Sequence, residues 1–184
     1  MLILGSGSIR RKELLESAKL TFKVVSPQFD ERSLNLNQDP IQFAMLSAQN
    51  KAYSIKDMYP NDTILCADTI VAYNTQILGK PQDEADAFKM LKFLSGKRHQ
   101  VITGCCIING DKETTFYEVS YVTFKKLHNQ MIKAYVETKE PLDKSGSYAI
   151  QGGAKDFILK YEGDLHNIIG LPLKKVLAVL NQYL

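Results

Sequence analysis

Short apolar runs alternate with amphipathic segments along the chain, a pattern typical of α/β proteins. Residues 2–4 are predicted to form a buried strand. Residues 8–18 are predicted to form a helix, because Leu14, Leu15 and Ala18 then fall on one face of it.

A second helix is predicted over residues 39–57, after a short strand at 22–26 and a polar loop. Asp39 is placed to cap the first turn, and Pro40 fits the first helical position, where the missing amide proton costs nothing. The early inward-facing side chains of this helix are predicted to be Phe43, Ala44, Leu46 and Ser47.

The middle of the chain contains the longest β-type segments. Residues 63–73 are apolar and β-branched, which predicts a central strand buried on both faces. Residues 98–109 and 113–125 are predicted to be two long strands joined at Asn109 and Gly110, a dipeptide that favours hairpin turns.

The other elements continue the alternation. They are a helix at 83–94, a helix at 129–138, a polar loop at 139–147, a strand at 156–161 and a last helix at 172–183. The inward face of the first of these is predicted to carry Ala87, Met90, Leu91 and Leu94. Because helices and strands alternate without internal repeats, the pattern predicts an α/β fold with a mixed central β-sheet flanked by helices.

Composition narrows the class of protein further. A length of 184 residues suits one domain, or two small lobes that share a core. A net charge of +3 is too small to indicate nucleic-acid binding as the main function, although the basic residues could gather in one anion-binding cleft. The sequence shows neither a leader nor a membrane-spanning run, so we expect a cytoplasmic protein.

The three cysteines are predicted to be buried thiols. Cys66, Cys105 and Cys106 all lie in apolar runs, and two of them are adjacent. Their spacing suggests neither a disulfide framework nor a zinc site.

A glycine- and serine-rich turn at residues 5–8 links the first strand to the first helix. Ser6 and Ser8 offer hydroxyl and amide donors at a helix N-terminus, where peptide dipoles favour an anion. Arg10 and Arg11 oppose that dipole, so a purely structural helix would more naturally begin with acidic residues. The pattern favours a phosphate-binding turn; the alternative is a solvated turn that Ser8 caps.

Asp68 interrupts the apolar run of the predicted central strand. A buried carboxylate must be paired, bound to a metal, or placed at a strand end that faces a cleft. The alternative is an aspartate that caps a turn, with Thr69 beside it.

Three further charged positions are candidates, and for Lys80 and Glu31 the alternative is solvated surface charge. Lys80 lies between a glycine and a proline, which sets the angle at which it leaves a strand. Glu31 follows Asp30, and adjacent carboxylates can hold a divalent ion. Lys51 lies on a helix face that is otherwise rich in small residues.

The segment 141–153 contains three glycines and few apolar anchors, which is common in functional loops. Within it, the amide of Gln151 can pair with both a carbonyl and an N–H on a base edge. The tight turn at 170–173 is interpreted as structural. The histidines form no metal-binding or triad spacing and are also interpreted as structural: His99, His128 and His166.

Together these motifs resemble the Maf family of nucleoside triphosphate pyrophosphatases over nearly the whole chain. The stretches that carry the resemblance are, in order, LILGSGSIRRKELL, FDE, QNKA, ADTIV, LGKP, LSGKRHQVITG, KEPLDKSGSYAIQG and IIGLPL. The DKSGSYAIQG stretch resembles the branch that acts on dTTP and UTP. The chain departs from the family pattern at Ile9, where proline is usual, at Ala154, where glycine is frequent, and at Asp156, where an apolar residue is frequent.

The resemblance implies an ITPase-like arrangement of two lobes around a cleft, as one domain over residues 1–184, and a homodimer. It also implies cleavage of a nucleoside triphosphate between the α and β phosphates. Asp68 would be the proton acceptor, and Glu31 with Asp68 would hold Mg²⁺ or Mn²⁺. Lys51 and Lys80 would complete the catalytic set.

The resemblance further implies which residues bind the substrate. The phosphate chain would be neutralised by the lysines and by Ser6, Ser8, Arg10 and Arg11. Gln151, together with Thr69 and Arg10, would select the base.

Three alternatives stay open on sequence alone. The first is a pyrophosphatase for 7-methyl-GTP or other modified nucleotides. The second is a nucleotide-binding regulator of cell division that does not hydrolyse, although the presence of Asp68, Glu31 and Lys80 argues against it. The third is a nucleic-acid binder, whose sole support is the basic segment 89–98.

Overall fold

The computed structural model describes residues 1–183 and contains one mixed β-sheet. Its strands are β1 (Leu2–Gly5), β2 (Phe22–Val25), β3 (Thr63–Tyr73), β4 (Gln76–Leu78), β5 (Arg98–Asn109), β6 (Lys112–Phe124) and β7 (Ile158–Glu162). Its α-helices are α1 (Ile9–Ser17), α2 (Pro40–Lys56), α3 (Glu84–Leu94), α4 (Asn129–Glu137), α5 (Leu165–Ile169) and α6 (Leu173–Leu180). The strand order is β2-β1-β3-β5-β6-β7, with β4 paired to β3. The predicted α/β fold with a mixed sheet is therefore confirmed; position 184 of the predicted domain lies outside the described residues.

The parallel and antiparallel parts of the sheet meet at β3. Strand β1 runs parallel to both β2 and β3, whereas β5, β6 and β7 continue the sheet in antiparallel pairs. Strand β1 ends at Gly5, opposite Cys66, so β3 continues beyond its neighbour. The turn that leaves β1 is thereby brought next to Asp68, at the carboxyl end of parallel strands, where ligands of open α/β sheets usually bind.

Helix α2 covers one face of the central strands. It presents Ala48, Ala52 and Ile55 to Ile64 and Cys66 of β3. Short side chains allow such close packing, and Gly104 of β5 extends it: a Cβ there would lie 2.3 Å from the backbone of Ala44. This close approach sets how deeply α2 can place its side chains toward β3.

The other face of the sheet is covered by α1 and α6, and its antiparallel end by α3 and α4. Leu15 of α1 and Val176 of α6 pack with Leu65 and Ala67 of β3. A second cluster joins α3 and α4 to the aromatic side chains Tyr148 and Phe157. The hydrophobic core thus follows both faces of β3 and β5, as the uninterrupted apolar runs predict.

The long elements lie where the sequence predicts them, but several details differ. Leu46 does not face inward; it is exposed, because the buried face of α2 runs through its alanines and Ile55. The last predicted helix is shorter, Leu173–Leu180, and the short helix α5 that precedes it was missed. Strand β7 begins at Ile158, after a 3₁₀ turn over Lys155–Phe157.

Two predictions on cysteine and membrane segments can also be compared with the structure. Among the described residues, Cys66, Cys105 and Cys106 are buried free thiols, as predicted. Burial raises the pKa of the Cys66 and Cys105 thiols to about 12. Within residues 1–183, every helix falls short of the length and apolar character needed to cross a membrane.

Candidate active site

A cleft of about 1040 Å³ opens where β1 ends beside β3. One wall is the turn at residues 5–8 with the start of α1. The floor holds the charged side chains Glu31, Lys51 and Asp68, and Lys80 lies at the rim. The loop around 143–151 closes the remaining side. The cleft is large enough for a nucleotide-sized ligand.

Lys51 is the centre of a chain of ion pairs on the cleft floor. Its Nζ lies 2.9 Å from Oδ1 of Asp68 and 2.7 Å from Oε2 of Glu31. The other oxygen of Glu31, Oε1, lies 2.9 Å from Nζ of Lys80. Four candidate residues that are far apart in sequence therefore form one alternating array of charges.

The packing of α2 explains why Lys51 reaches Asp68. Lys51 lies on the same helix face as Ala44 and Ala48, which contact the sheet, and it is buried. Asp68 is buried on β3 directly opposite Gly104, where α2 approaches closest. Each charge would be costly to bury alone, and the ion pair offsets that cost. Of the two interpretations for Asp68, the paired carboxylate facing a cleft is the one the structure shows.

The two adjacent carboxylates after β2 have different positions. Asp30 caps a short 3₁₀ helix, Glu31–Ser33, and its Oδ1 accepts a hydrogen bond of 3.0 Å from the amide of Arg32. Glu31 points into the cleft instead. Burial alone would raise the pKa of Glu31, but the charges and hydrogen bonds of Lys51 and Lys80 lower it to about 2. Glu31 is therefore a carboxylate throughout the physiological pH range.

Arg11 is held firmly by three hydrogen bonds of its guanidinium group. Its Nε donates to the carbonyl of Gly170 at 2.7 Å, its Nη1 to Oγ of Ser6 at 3.2 Å and its Nη2 to Oγ1 of Thr69 at 3.0 Å. Burial lowers the pKa of Arg11 from its ordinary value, an effect that the charge of Asp68 opposes. A guanidinium group has five N–H bonds, so two remain for a ligand in the cleft.

Arg10 has a different environment from Arg11, although the sequence pattern predicts the same phosphate-binding function for both. Among the described residues, its Nε is buried without a hydrogen-bond partner, and the side chain lines the cleft. A buried donor without a partner is costly unless a ligand supplies the acceptor. Arg10 is therefore the more available of the two arginines for an incoming anion.

The serines of the turn stabilise its shape and also border the cleft. Oγ of Ser6 accepts hydrogen bonds from the amide of Ser8 and from Arg11, both at 3.2 Å. Oγ of Ser8 caps α1 by accepting from the amide of Arg11 at 3.4 Å. The capping function considered for Ser8 is thus present in a turn that lines the cleft.

The loop around 143–151 is tied to the turn that carries Lys80. The amide of Gly146 donates to the carbonyl of Gly79 at 3.0 Å, and Oγ of Ser145 donates to the carbonyl of Leu78 at 2.7 Å. Gly146 has a φ of 68°, and a Cβ there would lie 2.7 Å from Val71. This position therefore requires glycine, both for its left-handed backbone and for the close approach.

Gln151 and Thr69 lie at different depths of the cleft. Gln151 is exposed at its edge, where its amide is accessible to a ligand. Thr69 is half-buried, and its Oγ1 lies 2.9 Å from Oγ1 of Thr103 and 3.2 Å from the carbonyl of Gly170. The structure therefore brings Gln151 and Thr69, like Arg10, to the cleft, but the hydroxyl of Thr69 is already hydrogen-bonded within the protein.

The cleft contains two carboxylates that could contribute oxygen ligands to a divalent cation such as Mg²⁺. Within residues 1–183, no group of three or more His, Cys, Asp or Glu side chains is arranged to hold a metal ion. Glu31 and Asp68 do converge on Lys51, and carboxylate oxygens are ligands that Mg²⁺ prefers. Since Mg²⁺ commonly takes one or two carboxylates together with phosphate oxygens and water, this pair fits a cation that arrives with a phosphorylated ligand.

The three histidines lie away from the cleft lining, as their structural interpretation predicts. The turn at 170–173 was also interpreted as structural, but it borders the cleft. Nε2 of His99 lies 2.6 Å from the hydroxyl of Tyr148 in the core, and burial lowers the pKa of His99 to about 4. By contrast, Gly170 of the 170–173 turn accepts from Arg11 in the cleft. Asn167 and Thr103, which support this turn, were also missed. Asn167 directly follows His166 in a short segment of mixed polarity, so the sequence gives no distinct signal for it.

Comparison with known proteins agrees with this fold. The sheet and its helices are similar to those of the Staphylococcus aureus Ham1 protein, with a TM-score of 0.55 and 14% identity over 100% of this chain and 99% of that one. At this identity the likeness concerns the fold alone. The chain belongs to the Maf family, because the family model for Maf-like protein matches residues 1–183.

Curated relatives of the chain are similar over nearly their whole length. A protein of Acholeplasma laidlawii, named dTTP/UTP pyrophosphatase, is 49% identical over 183 residues, which are 100% of this chain and 96% of the relative. A protein of Bacillus mycoides with the same name is 44% identical, over 99% of this chain and 95% of the relative.

Proposed function

We propose that this protein hydrolyses nucleoside triphosphates, with dTTP and UTP preferred, to the monophosphate and pyrophosphate. The observation that carries the proposal is the buried Lys51–Asp68 ion pair, which lies in a cleft lined with further cations. The names of the relatives at 44–49% identity support the choice of substrate.

The cleft is suited to a triphosphate by its charge. A triphosphate carries about four negative charges, and hydrolysis requires that these be neutralised and held in line with the attacking water. We assign phosphate binding to the hydroxyl groups of Ser6 and Ser8, whose amides are engaged within the protein, and to the free N–H groups of Arg10 and Arg11. Lys80 lies at the rim, where it can reach the end of the phosphate chain.

Asp68 is the group we assign to activate the water. Its Oδ1 contacts Lys51, so Oδ2 is the oxygen that would accept the proton as the water attacks the α-phosphorus. The bond from that phosphorus to the bridging oxygen breaks, and pyrophosphate leaves with the electron pair. Lys51 holds the carboxylate in place and supplies positive charge beside the reacting phosphate.

The proposal includes a divalent cation, Mg²⁺ or Mn²⁺, which Asp68 and Glu31 would hold. When bound, it would neutralise charge on the phosphate oxygens. Glu31 contributes a carboxylate whose pKa is lowered to about 2, so no proton competes with the cation near neutral pH.

At the other end of the cleft, Gln151 is assigned to recognise the base. Its amide can donate to one base-edge atom and accept from another. Arg10 and Thr69, which also line the cleft, would shape the pocket together with Gln151. The single 1–184 domain, the homodimer and the cytoplasmic location stay predictions.

The decisive experiment is a panel of triphosphates with release of pyrophosphate as the readout. The panel contains dTTP, UTP, CTP, 7-methyl-GTP and modified purine triphosphates, each with Mg²⁺, with Mn²⁺ and with chelator. We expect dTTP and UTP to be cleaved fastest and chelator to abolish cleavage. If nucleotides bind but none releases pyrophosphate, the cleft senses nucleotides and the proposal is wrong.

Asp68→Asn tests the assignment of the base. We expect pyrophosphate release to fall about 10²–10⁴-fold while nucleotide binding persists, because the amide cannot take the proton. Asp62→Asn is the matched control, since Asp62 pairs with the amino terminus, 2.8 Å away, and does not line the cleft. Turnover near that of the wild type in Asp68→Asn would refute the assignment.

A further inference from the structure

Asn167 is a fully buried amide on the short helix α5. Its Nδ2 donates to the carbonyl of Val101 on β5 at 3.1 Å and to Oγ of Ser120 on β6 at 3.0 Å. A helix of five residues has little stability of its own. These two hydrogen bonds therefore attach α5 to two strands of the sheet.

Helix α5 ends at Gly170, whose carbonyl faces the cleft. Gly170 has a φ of 140°, a conformation that glycine adopts without strain. Its carbonyl accepts from Nε of Arg11 at 2.7 Å and lies 3.2 Å from Oγ1 of Thr69. The position of this carbonyl follows from the position of α5, and the orientation of Arg11 follows from the carbonyl.

A second route connects Asn167 to the same arginine. Oγ1 of Thr103 donates to the main-chain carbonyl of Asn167 at 3.2 Å and lies 2.9 Å from Oγ1 of Thr69. Thr69 in turn accepts from Nη2 of Arg11 at 3.0 Å. Both routes lead from Asn167 to the guanidinium group, one through Gly170 and the other through Thr103 and Thr69.

We propose that Asn167 is a positioning residue that, through α5 and Thr103, holds the guanidinium group of Arg11 in the orientation that binds the phosphates of a nucleoside triphosphate. The proposal rests on the function proposed above. Three of the five N–H bonds of Arg11 are engaged in the protein, so the direction of the remaining two is set before the substrate arrives. Such preorganisation lowers the entropy cost of binding.

Two variants of this network and one control test the proposal. Asn167→Ala removes the attachment of α5, and Thr103→Val removes the second route while keeping the shape of the side chain. Thr63→Val is the matched control: Thr63 is also a buried threonine of a central strand, and its Oγ1 accepts from Asn109 at 2.8 Å, outside the cleft lining.

Two readouts separate positioning from simple loss of stability. For dTTP we expect KM to rise about tenfold in both network variants, roughly the factor that one charge-assisted hydrogen bond supplies, with kcat within about threefold. Exchange of the Arg11 Nε proton with water, followed by ¹⁵N NMR, should become faster in both. Arg11→Lys identifies that resonance by its disappearance.

The control should change neither readout. If KM and Nε exchange stay at wild-type values in both network variants, or change equally in Thr63→Val, the proposal is wrong. If Asn167→Ala does not fold, Thr103→Val decides the question by itself. In the Arg11→Lys background, either network substitution should change KM less than about twofold; a full additional effect would show that Asn167 does not act through Arg11.

Failure of this inference can be told apart from failure of the proposed function. If the wild type cleaves no nucleoside triphosphate, the proposed function is wrong, and the exchange of the Arg11 Nε proton still shows whether Asn167 orients that side chain. If the wild type cleaves dTTP and the network variants match it in both readouts, the function stands and the positioning proposal alone is wrong.

Discussion

Replacing Lys51 by methionine would leave two carboxylates facing each other on the cleft floor. The methionine keeps most of the alkyl chain, so the main loss is the ammonium group that contacts Asp68 at 2.9 Å and Glu31 at 2.7 Å. The two carboxylates then lie within about 6 Å of each other, where like charges repel by about 3 kcal/mol at an effective dielectric constant of about 20. Breaking a buried ion pair by removing one partner costs about 3–5 kcal/mol, which we expect as the loss of unfolding free energy at pH 8.

This loss should depend on pH. In the wild type, the pKa of Glu31 is lowered to about 2, so its contribution is complete above pH 4.5 and disappears as the pH falls toward 2. In Lys51→Met the pKa of Glu31 is lowered only by Lys80, and the repulsion between the two carboxylates favours protonation of one of them, so the folded variant takes up a proton that the unfolded chain does not. The destabilisation should therefore be about 2 kcal/mol smaller at pH 5 than at pH 8.

Urea unfolding followed by circular dichroism measures both values, with chelator present throughout. Lys80→Met is the matched control: it also contacts Glu31, but its side chain is 42% exposed, so we expect a loss below about 1 kcal/mol. A loss below about 1 kcal/mol for Lys51→Met at pH 8, or an equal loss at both pH values, would refute this account of the ion-pair array.

Two further predictions concern the base pocket and the core. Gln151→Ala should compress the differences in kcat/KM among dTTP, UTP, CTP and 7-methyl-GTP by about tenfold, because the amide no longer rejects the wrong base edge; an unchanged ranking would place base selection elsewhere. Burial lowers the pKa of His99 from 6.5 to about 4, so its neutral form stabilises the fold above pH 6.5 and this contribution, about 3 kcal/mol, is lost as the pH falls to 4. The unfolding free energy of the wild type should therefore decrease between pH 6.5 and pH 4. In His99→Gln most of this decrease should be absent, and a decrease equal to that of the wild type would contradict the assignment.

The long elements of the fold could be predicted because their signal is repeated many times. Strand β3 carries apolar residues on both faces, and the hairpin between β5 and β6 is marked by Asn109 and Gly110. Helix α5 could not be predicted in this way, since five residues give no helical period and its stability comes from Asn167 and the sheet. The inward placement of Leu46 was wrong because the close approach at Gly104 fixes which side of α2 meets the sheet.

The candidate site was predictable in its members but not in its contacts. The motifs indicate Asp68, Lys51 and Lys80 as charged residues near a phosphate-binding turn. That one ammonium bridges two carboxylates is a property of tertiary structure, because it depends on how α2 packs on β3. The different environments of Arg10 and Arg11 could likewise not be predicted from the sequence pattern, because the carbonyl that accepts from Arg11 belongs to Gly170, near the other end of the chain.

Gly110 and Asp111 form the tip of the hairpin between β5 and β6, and this tip has a practical use. In the register of β3 with β5, Asp68 lies opposite Gly104 and Ile64 opposite Ile108, so the tip lies roughly 20 Å along the strands from the cleft floor. A peptide tag or fluorescent reporter inserted there would extend into solvent without crossing the path of a nucleotide. The molecule thus offers an attachment point for immobilisation or single-molecule observation.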